Sequence, residues 1–303
     1  MSVQNPPKKH HYIPAFYSKR WVADDDKRLI VFSKPYDTVI DRRRHPDATG
    51  FHLNLYGLRG SDKGEEIEDS FFKPVDNYAH QALERLENND DLNAWPREIR
   101  SNWTRFIMSL LFRTPVDLEI LRVRWAQNYT KTDSFLEEKY SEVQIDGKPG
   151  TLSEWLAQLP EVAVEQSMFS IYQSMIDNEH IGRFINSMQW RVVNTTSSNL
   201  NLLTSDCPVF TTNGLRYANS HLVMPIGPHR LFVAANNREV IQRAVTMPAR
   251  ELVKATNKAV VRGARNYVFA KSATVTEGKF ISENFGMAPQ KRILDSMFDR
   301  YSS

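Results

Sequence analysis

The spacing of apolar residues divides the chain into three stretches. Residues 8–60 hold short apolar runs between turn-forming residues, a pattern typical of strands. Residues 61–187 repeat apolar side chains every three or four positions, which predicts helices. Residues 188–303 return mostly to short β-branched and aromatic runs. This order indicates an α+β fold, with a helical middle layer packed on a mostly antiparallel sheet and an N-terminal β-hairpin unit. We predict a single domain over residues 1–303.

The predicted strands are apolar runs bounded by turn residues. Leu29–Phe32 and a strand beginning at Thr38–Ile40 form the N-terminal hairpin, and Arg42–Arg44 are expected to leave it as a loop. The other predicted strands are Trp190–Val193, Leu200–Leu203, Val209–Thr212, His221–Met224, Leu231–Ala234 and Tyr267–Ala270, and Leu53–Tyr56 is either a short strand or an extended segment.

The predicted helices follow apolar periodicity and proline positions. They run from Ala15 to Val22, from Ile67 to the turn at Asn88, from Pro96 to a break at Thr114–Pro115 and on to about Asn128, from Glu161 to Asn178, and from Pro248 to about Arg265.

The composition is that of an ordinary globular protein. The chain has 303 residues, and 41% of them are hydrophobic, which is enough for a sizeable core. The net charge of +3 is too small to indicate nucleic-acid binding by itself. Cationic residues are nevertheless in excess in residues 1–60 and 216–303, and acidic residues in 61–100. Attraction between the acidic and basic parts of the same chain explains this asymmetry. The alternative is that the basic C-terminal third binds an anionic partner.

Cysteine usage and hydropathy bear on the cellular compartment. Cys207 is the only cysteine, so no intrachain disulfide can form, and this favours a reducing compartment. No apolar run is long enough for a transmembrane helix, and the N-terminus lacks the apolar segment of a signal peptide. We therefore expect a cytoplasmic protein without a membrane partner.

The segment 8–21 is the most unusual part of the sequence. It combines His10 and His11 with four aromatic residues, four cations and Pro14, close to an end where chains are usually polar and frayed. Adjacent histidines point to opposite faces of a strand, so they rarely serve one metal. At most one of them faces a site and the other is a hydrogen-bonded anchor, or both are structural.

Carboxylates occur at two places where they could hold a cation. Asp206 follows an apolar strand and precedes Pro208, where a carboxylate either binds a metal or closes a turn. A second set of carboxylates lies in the first turn of the helix after residue 64. The helix dipole alone accounts for acidic residues at this position. In the functional alternative, one of them binds Mg²⁺ or Mn²⁺. The residues of this set are Glu65, Glu66, Glu68 and Asp69.

Two further polar residues belong to apolar helices. Arg113 ends a buried helix before Thr114–Pro115, where it can cap the last carbonyl groups or bind an anion or a carboxylate. Asn257 lies at the edge of the apolar face of the helix after Pro248, where a buried amide needs partners. It is either a clamp for a neighbouring loop or a site residue.

The same helix carries a basic stripe, which consists of Arg250, Lys254, Lys258 and Arg262. The four cations recur every four residues and therefore lie on one side of the helix. A solvated helix face accounts for them, and contact with an anionic partner or nucleic acid is the alternative.

Several of these stretches together resemble one family. Lys9–Tyr17 resembles the opening motif of the uncharacterised, mostly bacterial domain of unknown function family 4238, and Thr204–Val209 resembles its Thr-Ser-Asp-x-Pro signature. The other similar parts are Leu55–Tyr56 followed by the Glu65–Glu68 helix, Arg113–Pro115, Pro225–Pro228, and Asn257, Ala264 and Val268–Phe269. The family brings no established activity. The resemblance implies that one constellation contains His10, His11, Arg113, Asp206 and Asn257.

Two functions are compatible with these residues. The first is a metal-dependent hydrolase for a phosphate-containing substrate or nucleic acid. In it Asp206 and either Glu66 or Glu68 hold the cation, His10 or His11 is the general base, and Arg113 stabilises negative charge. The second is a non-catalytic binding module, in which the polar constellation is structural and the basic stripe meets an anionic partner.

Overall fold

The computed structural model has the α+β fold expected from the sequence. It describes residues 8–58, 66–88, 92, 94–143, 147, 149–212, 215 and 217–289. The helices are α1 Ala15–Ser18, α2 Lys73–Glu87, α3 Arg97–Phe112, α4 Pro115–Asn128, α5 Ser134–Glu142, α6 Leu152–Ala157, α7 Glu161–Ile176, α8 Glu179–Ser187, α9 Arg238–Thr246, α10 Ala249–Gly263 and α11 Val275–Asn284.

The strands pair antiparallel throughout the described part of the chain. They are β1 Lys9–His11, β2 Leu29–Ser33, β3 Ile40–Arg44, β4 Phe51–Leu53, β5 Gln189–Asn194, β6 Thr204–Ser205, β7 Phe210–Thr211, β8 His221–Gly227, β9 Arg230–Ala235 and β10 Tyr267–Ala270. β1 and β4 form a two-stranded ribbon. The two larger sheets have the strand orders β3-β2-β10-β6 and β5-β9-β8-β7.

The N-terminal hairpin shares a sheet with the end of the chain. β2 pairs with β3 on one side and with β10 on the other, where Val31 lies opposite Phe269. β3 also contains Arg42–Arg44, which were expected to form a loop. Charged side chains are common on edge strands because they discourage pairing with other chains. The arginines therefore did not end the strand, although their polarity suggested a loop.

Leu200–Leu203 differs most from the predicted elements, because it is not a strand. Leu202 and Leu203 are buried, but their main-chain N–H groups donate to the Pro228 carbonyl and to the Asn257 side chain, both at 2.8 Å. A short apolar run can thus satisfy its backbone without a strand partner, and periodicity does not distinguish the two cases.

Several short helices were not predicted. α5, α6 and α9 span nine, six and nine residues and contain no buried residue, so each has fewer core-facing positions than the longer helices. Each begins instead at a side-chain cap, provided by Asp133, Thr151 and Asn237. Among all described helices, none combines the length and the apolar character that a membrane crossing requires.

The main core lies between the helical layer and the strands. One continuous cluster of buried side chains contains Tyr17 and Trp21 from the N-terminal segment, Trp103 and Phe106 from α3, and Phe269 from β10. Burial of each large apolar side chain contributes roughly 1.5–3 kcal/mol. The cluster therefore ties the N-terminal segment to the helices, while the assignment of residues 1–303 to one domain stays a prediction.

Candidate functional site

The β1–β4 ribbon holds the two adjacent histidines in place, with His10 opposite His52. The main-chain N–H groups of Tyr12 and Ile13 both donate to the Gly50 carbonyl, at 2.9 and 3.0 Å. Gly50 has a φ of +66°, and a Cβ on it would lie 2.9 Å from the Ile13 Cβ. Only glycine permits this approach, so the turn before β4 anchors the N-terminal motif.

His10 is buried, and one side of its ring is fixed by Tyr56. Nδ1 accepts a hydrogen bond from the Tyr56 main-chain N–H at 3.0 Å, and the two rings stack with 5.4 Å between centroids. This hydrogen bond assigns the proton of the neutral ring to Nε2. Burial lowers the pKa of His10 to about 4, so the ring is neutral at pH 7. Nε2 is buried and has no partner among the described residues.

His11 faces different surroundings, as the alternation of side chains along a strand requires. Its carbonyl oxygen accepts a hydrogen bond from Nη2 of Arg113 at 2.7 Å, and its ring meets Phe51 edge-on. Burial lowers the pKa of His11, and the Asp47 carboxylate opposes this effect. Its Nε2 is also buried without a partner within the described ranges.

Arg113 ends α3 with a fully buried guanidinium group. Nη1 and Nη2 donate to the two carboxylate oxygens of Asp76, at 2.7 and 3.2 Å, and Nε donates to the Tyr56 hydroxyl at 3.4 Å. The guanidinium group also lies over the Phe72 ring. Burial lowers the pKa of Arg113, but the Asp76 carboxylate outweighs burial and raises the pKa overall. Each guanidinium nitrogen has a partner, so Arg113 joins α2, α3 and the ribbon rather than offering a free donor.

A π-helical turn, Glu68–Phe72, leads into α2 and carries Glu68 to this ion pair. Such turns are rare and are frequent at functional sites. Burial raises the pKa of Glu68 to about 7, with Arg113 opposing and Asp76 adding to the shift. Oε2 of Glu68 is buried and has no partner in the described part of the chain. Glu66, two positions earlier, is exposed.

These residues surround Tyr56, and we call them the Tyr56 cluster: His10, Tyr56, Glu68, Asp76 and Arg113. Burial raises the pKa of the Tyr56 hydroxyl, and Glu68 is among the charges that act on it. Sequence reasoning identified His10, Glu68 and Arg113 but missed Asp76 and the central role of Tyr56. These partners lie 37 and 57 residues before Arg113, and no local spacing links them.

Asp206 has a separate set of partners. It is 1% exposed, and its two carboxylate oxygens accept hydrogen bonds from the main-chain N–H groups of Arg265 and Asn266, at 2.9 and 2.7 Å. Burial raises the pKa of Asp206, and these N–H groups oppose the shift. The carboxylate thus fixes the loop before β10 to the end of β6.

Asn257 makes a second connection of this kind. Oδ1 accepts a hydrogen bond from the Leu203 N–H, and Nδ2 donates to the Asn201 carbonyl, both at 2.8 Å. The amide therefore joins α10 to the irregular segment before β6. Asp206 and Asn257 both have the clamp geometry, and their side chains hydrogen-bond to backbone groups outside the Tyr56 cluster.

The carboxylates expected to hold a cation do not belong to a larger group of potential metal ligands within the described residues. Among the described residues, no three or more His, Cys, Asp or Glu side chains are grouped so that they could hold a metal ion, and these residues include Asp206, Glu66 and Glu68. Glu65 lies outside the described residues. Both oxygens of Asp206 already accept main-chain hydrogen bonds. The contacts of Asp206 are thus those of a structural clamp, and the Mg²⁺ or Mn²⁺ site expected from the sequence stays a prediction.

The basic stripe follows the solvent side of α10. Arg250, Lys254 and Lys258 are exposed, whereas Arg262 is partly buried. The opposite face of the helix packs into the protein through buried residues such as Val253 and Val260. The four cations thus lie on a different surface from the Tyr56 cluster, and the two groups make different contacts.

A cleft of about 950 Å³ lies between α3 and α8, and none of its lining residues belongs to the Tyr56 cluster. Three of its four arginines have described partners: Arg105 pairs with Asp177, Arg183 pairs with Glu179, and Arg100 donates to main-chain carbonyl groups. The fourth, Arg97, is exposed.

The Tyr56 cluster, Asp206 and Asn257 all fall in the part of the chain that matches a known family. The family is described as "Protein of unknown function (DUF4238)", and its model matches residues 9–274. The chain belongs to this family. The resemblance drawn from the sequence motifs is thereby confirmed, and the DUF4238 match covers all the candidate site residues named above. No curated protein and no solved structure matches the chain.

Proposed function

We propose that the protein is a hydrolase that acts by acid–base catalysis on a phosphate-containing substrate, with Glu68 and His10 as its reacting groups. One observation carries this proposal. A half-buried carboxyl group with a pKa of about 7 belongs to the same cluster as a neutral histidine, and each has a buried polar atom without a described partner. Such perturbed groups in one place are typical of active sites.

Glu68 is suited to proton transfer. A pKa of about 7 gives both protonation states comparable populations at neutral pH, which is the condition for efficient general acid–base catalysis. Glu68 is partly exposed, although its Oε2 is buried. In hydrolysis Glu68 would take a proton from the attacking water and return it to the leaving group.

His10 is suited to donating a hydrogen bond rather than to acting as a base. Its Nδ1 lone pair is occupied by the Tyr56 N–H, and its Nε2 carries the proton. A fixed N–H donor of this kind stabilises negative charge that develops on a substrate oxygen. The charges near His10 have both signs, because Asp69 raises its pKa while Lys73 and Lys8 lower it. In the proposed reaction the two lysines would attract an anionic substrate.

Arg113 and His11 act as positioning residues in this scheme. Arg113 is occupied by Asp76, Tyr56 and the His11 carbonyl, so it holds the cluster together instead of binding the substrate. Because both carboxylate oxygens of Asp206 accept main-chain hydrogen bonds, we assign the chemistry to Glu68 and His10. Assays still need Mg²⁺, Mn²⁺ and EDTA conditions, since a divalent cation was expected from the sequence.

The test is hydrolysis of p-nitrophenyl phosphate, bis(p-nitrophenyl) phosphate and a labelled single-stranded oligonucleotide. We expect Glu68→Gln to lower kcat/KM at least about 100-fold, the usual size of a general acid–base contribution. His10→Asn should lower kcat by roughly 100-fold, because it removes one donor to the developing charge. The pH profile of the wild type should bend near pH 7, and that bend should be absent in Glu68→Gln.

Glu66→Gln is the matched control, because it makes the same change on an exposed side chain two residues away. It should keep the activity of the wild type. The proposal is overturned if none of the three probes is turned over under any cation condition, or if Glu68→Gln retains full activity.

A second candidate function is binding of an anionic partner at the basic stripe. The supporting observation is that Arg250, Lys254 and Lys258 are all exposed on α10 and recur at one-turn spacing. Binding to phosphates should fall steeply with salt, and each lost contact should lower the slope of log affinity against log salt by about 0.7 for a single strand.

Fluorescence anisotropy with a labelled single-stranded oligonucleotide measures this slope. Lys254→Gln should weaken binding and reduce the slope, and Lys34→Gln, at an exposed lysine of the N-terminal hairpin, should not. If the two substitutions change the affinity and its salt dependence equally, the basic stripe is only a solvated helix face.

A further inference from the structure

The cleft between α3 and α8 is formed by one face of each helix. Its lining includes Arg97, Ser101 and Met108 on α3, and Gly182 and Asn186 on α8. Residues at these spacings share a helix face, so the two faces border the same space. The volume of about 950 Å³ lies within the range of roughly 300–1,000 Å³ that small-molecule sites have.

Polar contacts join α3 to the chain on both sides of the middle of α8. Just before α8, Asp177 accepts two hydrogen bonds from Arg105, at 2.5 and 2.7 Å. Near the end of α8, Oδ1 of Asn186 accepts from the Thr104 hydroxyl at 2.6 Å, and Nδ2 donates to the Ser101 hydroxyl at 3.0 Å. These contacts fix the walls of the cleft, so its shape is preorganised for a ligand.

Gly182 keeps the middle of α8 open. It lies one turn before Asn186 on the cleft face, and a Cβ at this position would meet no described atom within 4 Å. Its φ is not positive either. Neither packing nor backbone conformation therefore requires glycine here, although glycine inside a helix is less favourable than alanine. The missing side chain leaves room for a ligand to approach the helix closely.

The cleft combines positive charge with a surface that is mostly apolar. The exposed guanidinium group of Arg97 makes no hydrogen bond or ion pair within the described residues. Arg100 donates to main-chain carbonyl groups, so no described carboxylate neutralises its charge. Met108 and Ile176 are buried apolar side chains that line the same cleft. The lining therefore suits a ligand that is anionic at one point and apolar elsewhere.

We propose that the cleft binds an elongated amphipathic anion, with a carboxylate or phosphate group at Arg97 and an apolar chain that reaches Met108. These two residues are about 16 Å apart along α3, which sets the length of the ligand. Guanidinium groups bind carboxylate and phosphate oxygens through charge-assisted hydrogen bonds. The Ser101 hydroxyl accepts from Asn186 and keeps its own proton for a further acceptor, one turn from Arg97. The cleft shares no residue with the Tyr56 cluster or the basic stripe, so this site goes beyond the proposed function.

Isothermal titration calorimetry with decanoate, decyl phosphate and neutral decanol, each below its micellar concentration, tests the proposal. We expect saturable binding of the anions that is at least about tenfold tighter than that of decanol, the factor that one charged hydrogen bond provides. Sodium chloride should reduce this preference, because Arg97 is exposed and its charge is screened. Tighter binding of decanoate supports a carboxylate ligand, and tighter binding of decyl phosphate supports a phosphate ligand.

A pair of glycine variants tests whether the ligand occupies the cleft. Gly182→Leu fills the open space and should weaken binding of the anions at least about tenfold through a direct clash. It should not lower the melting temperature, since leucine is the better helix former. Gly278→Leu is the matched control, because Gly278 also lies inside a helix, α11, where a Cβ would meet no described atom within 4 Å. It should bind as the wild type does.

A pair of arginine variants tests the charged end of the site. Arg97→Gln should weaken binding of the anions but not of decanol. Arg238→Gln should change neither, although Arg238, like Arg97, is the exposed first residue of a helix. Glu68→Gln should bind the anions normally, so a failure of the catalytic proposal leaves this test intact. The proposal is overturned if neither anion saturates the protein, if decanol binds as tightly, or if Gly182→Leu binds as the wild type does.

Discussion

The main-chain N–H of Tyr56 donates to Nδ1 of His10 at 3.0 Å, and the two rings stack with their planes 8° apart. This contact joins the N-terminal ribbon to the segment before the π-helical turn. It also decides the chemistry of His10, because a ring that accepts at Nδ1 keeps its proton at Nε2. In the proposed mechanism His10 is therefore a hydrogen-bond donor, whereas the sequence led us to expect His10 or His11 as the general base.

His10→Ala should destabilise the protein by about 2–4 kcal/mol. The substitution leaves the buried Tyr56 N–H without an acceptor, at roughly 1–3 kcal/mol, and it also removes a packed ring. His10→Asn should recover part of this loss, since the asparagine oxygen takes roughly the position of Nδ1. Urea unfolding measures both changes. His52→Ala, across the ribbon at an exposed position, should stay within about 0.5 kcal/mol of the wild type.

The titration of Glu68 should make the free energy of unfolding depend on pH. Its pKa is raised from 4.5 to about 7, so the folded state binds more protons than the unfolded chain between these values. The contribution of Glu68 to stability is therefore present below about pH 4.5 and is lost as the pH rises through about 7. The stability of the wild type relative to Glu68→Gln should fall between about pH 5 and about pH 8.

His10 should show the opposite sign and serves as the internal control. Its pKa is lowered from 6.5 to about 4, so the unfolded chain binds more protons in that interval, and stability falls as the pH drops through it. Urea unfolding across the pH range measures both slopes. A difference between wild type and Glu68→Gln that does not vary with pH contradicts the raised pKa of Glu68.

The parts of the fold that were predictable are those with long periodic patterns. α3 and α10 were expected from their apolar spacing, and the break at Thr114–Pro115 from the backbone limits that proline imposes. The β1–β4 ribbon was missed because three-residue strands carry no usable period.

The candidate site was predictable only in part, for a related reason. Glu68, His10 and Arg113 stood out by residue type and position. Asp76 did not, because in sequence it is one acid among many on an amphipathic helix. Asp76 pairs with Arg113 because of the way α2 packs against α3, and the local sequence does not contain that information.

Arg113→Met should destabilise the protein by about 3–5 kcal/mol, because it leaves the Asp76 carboxylate largely buried without its partner. Arg113→Lys should recover little, since an ammonium group cannot bind both carboxylate oxygens and Tyr56 as the guanidinium fork does. Arg183→Met is the matched control, because it breaks a pair with Glu179 in which both side chains are more than 70% exposed. That change should cost less than about 1 kcal/mol. Similar losses for the two variants would contradict the central role of Arg113.

Asp206→Asn distinguishes the clamp from the metal ligand first expected at this position. An asparagine side chain has one oxygen, so it can accept from only one of the Arg265 and Asn266 N–H groups, and its NH₂ group faces the other. We expect a loss of about 1–3 kcal/mol, against almost none for Asp37→Asn at an exposed position.

Thermal unfolding of the wild type and of Asp206→Asn with Mg²⁺, Mn²⁺ or Zn²⁺ completes this comparison. The clamp predicts that the melting temperature of the variant is lower by the same amount with and without each cation. A cation-dependent rise in the wild type that disappears in a normally stable Asp206→Asn protein would restore Asp206 as a metal ligand. In that case water molecules, main-chain carbonyl groups or residues outside the described ranges would complete the site, because no three described His, Cys, Asp or Glu side chains are grouped to hold a metal ion.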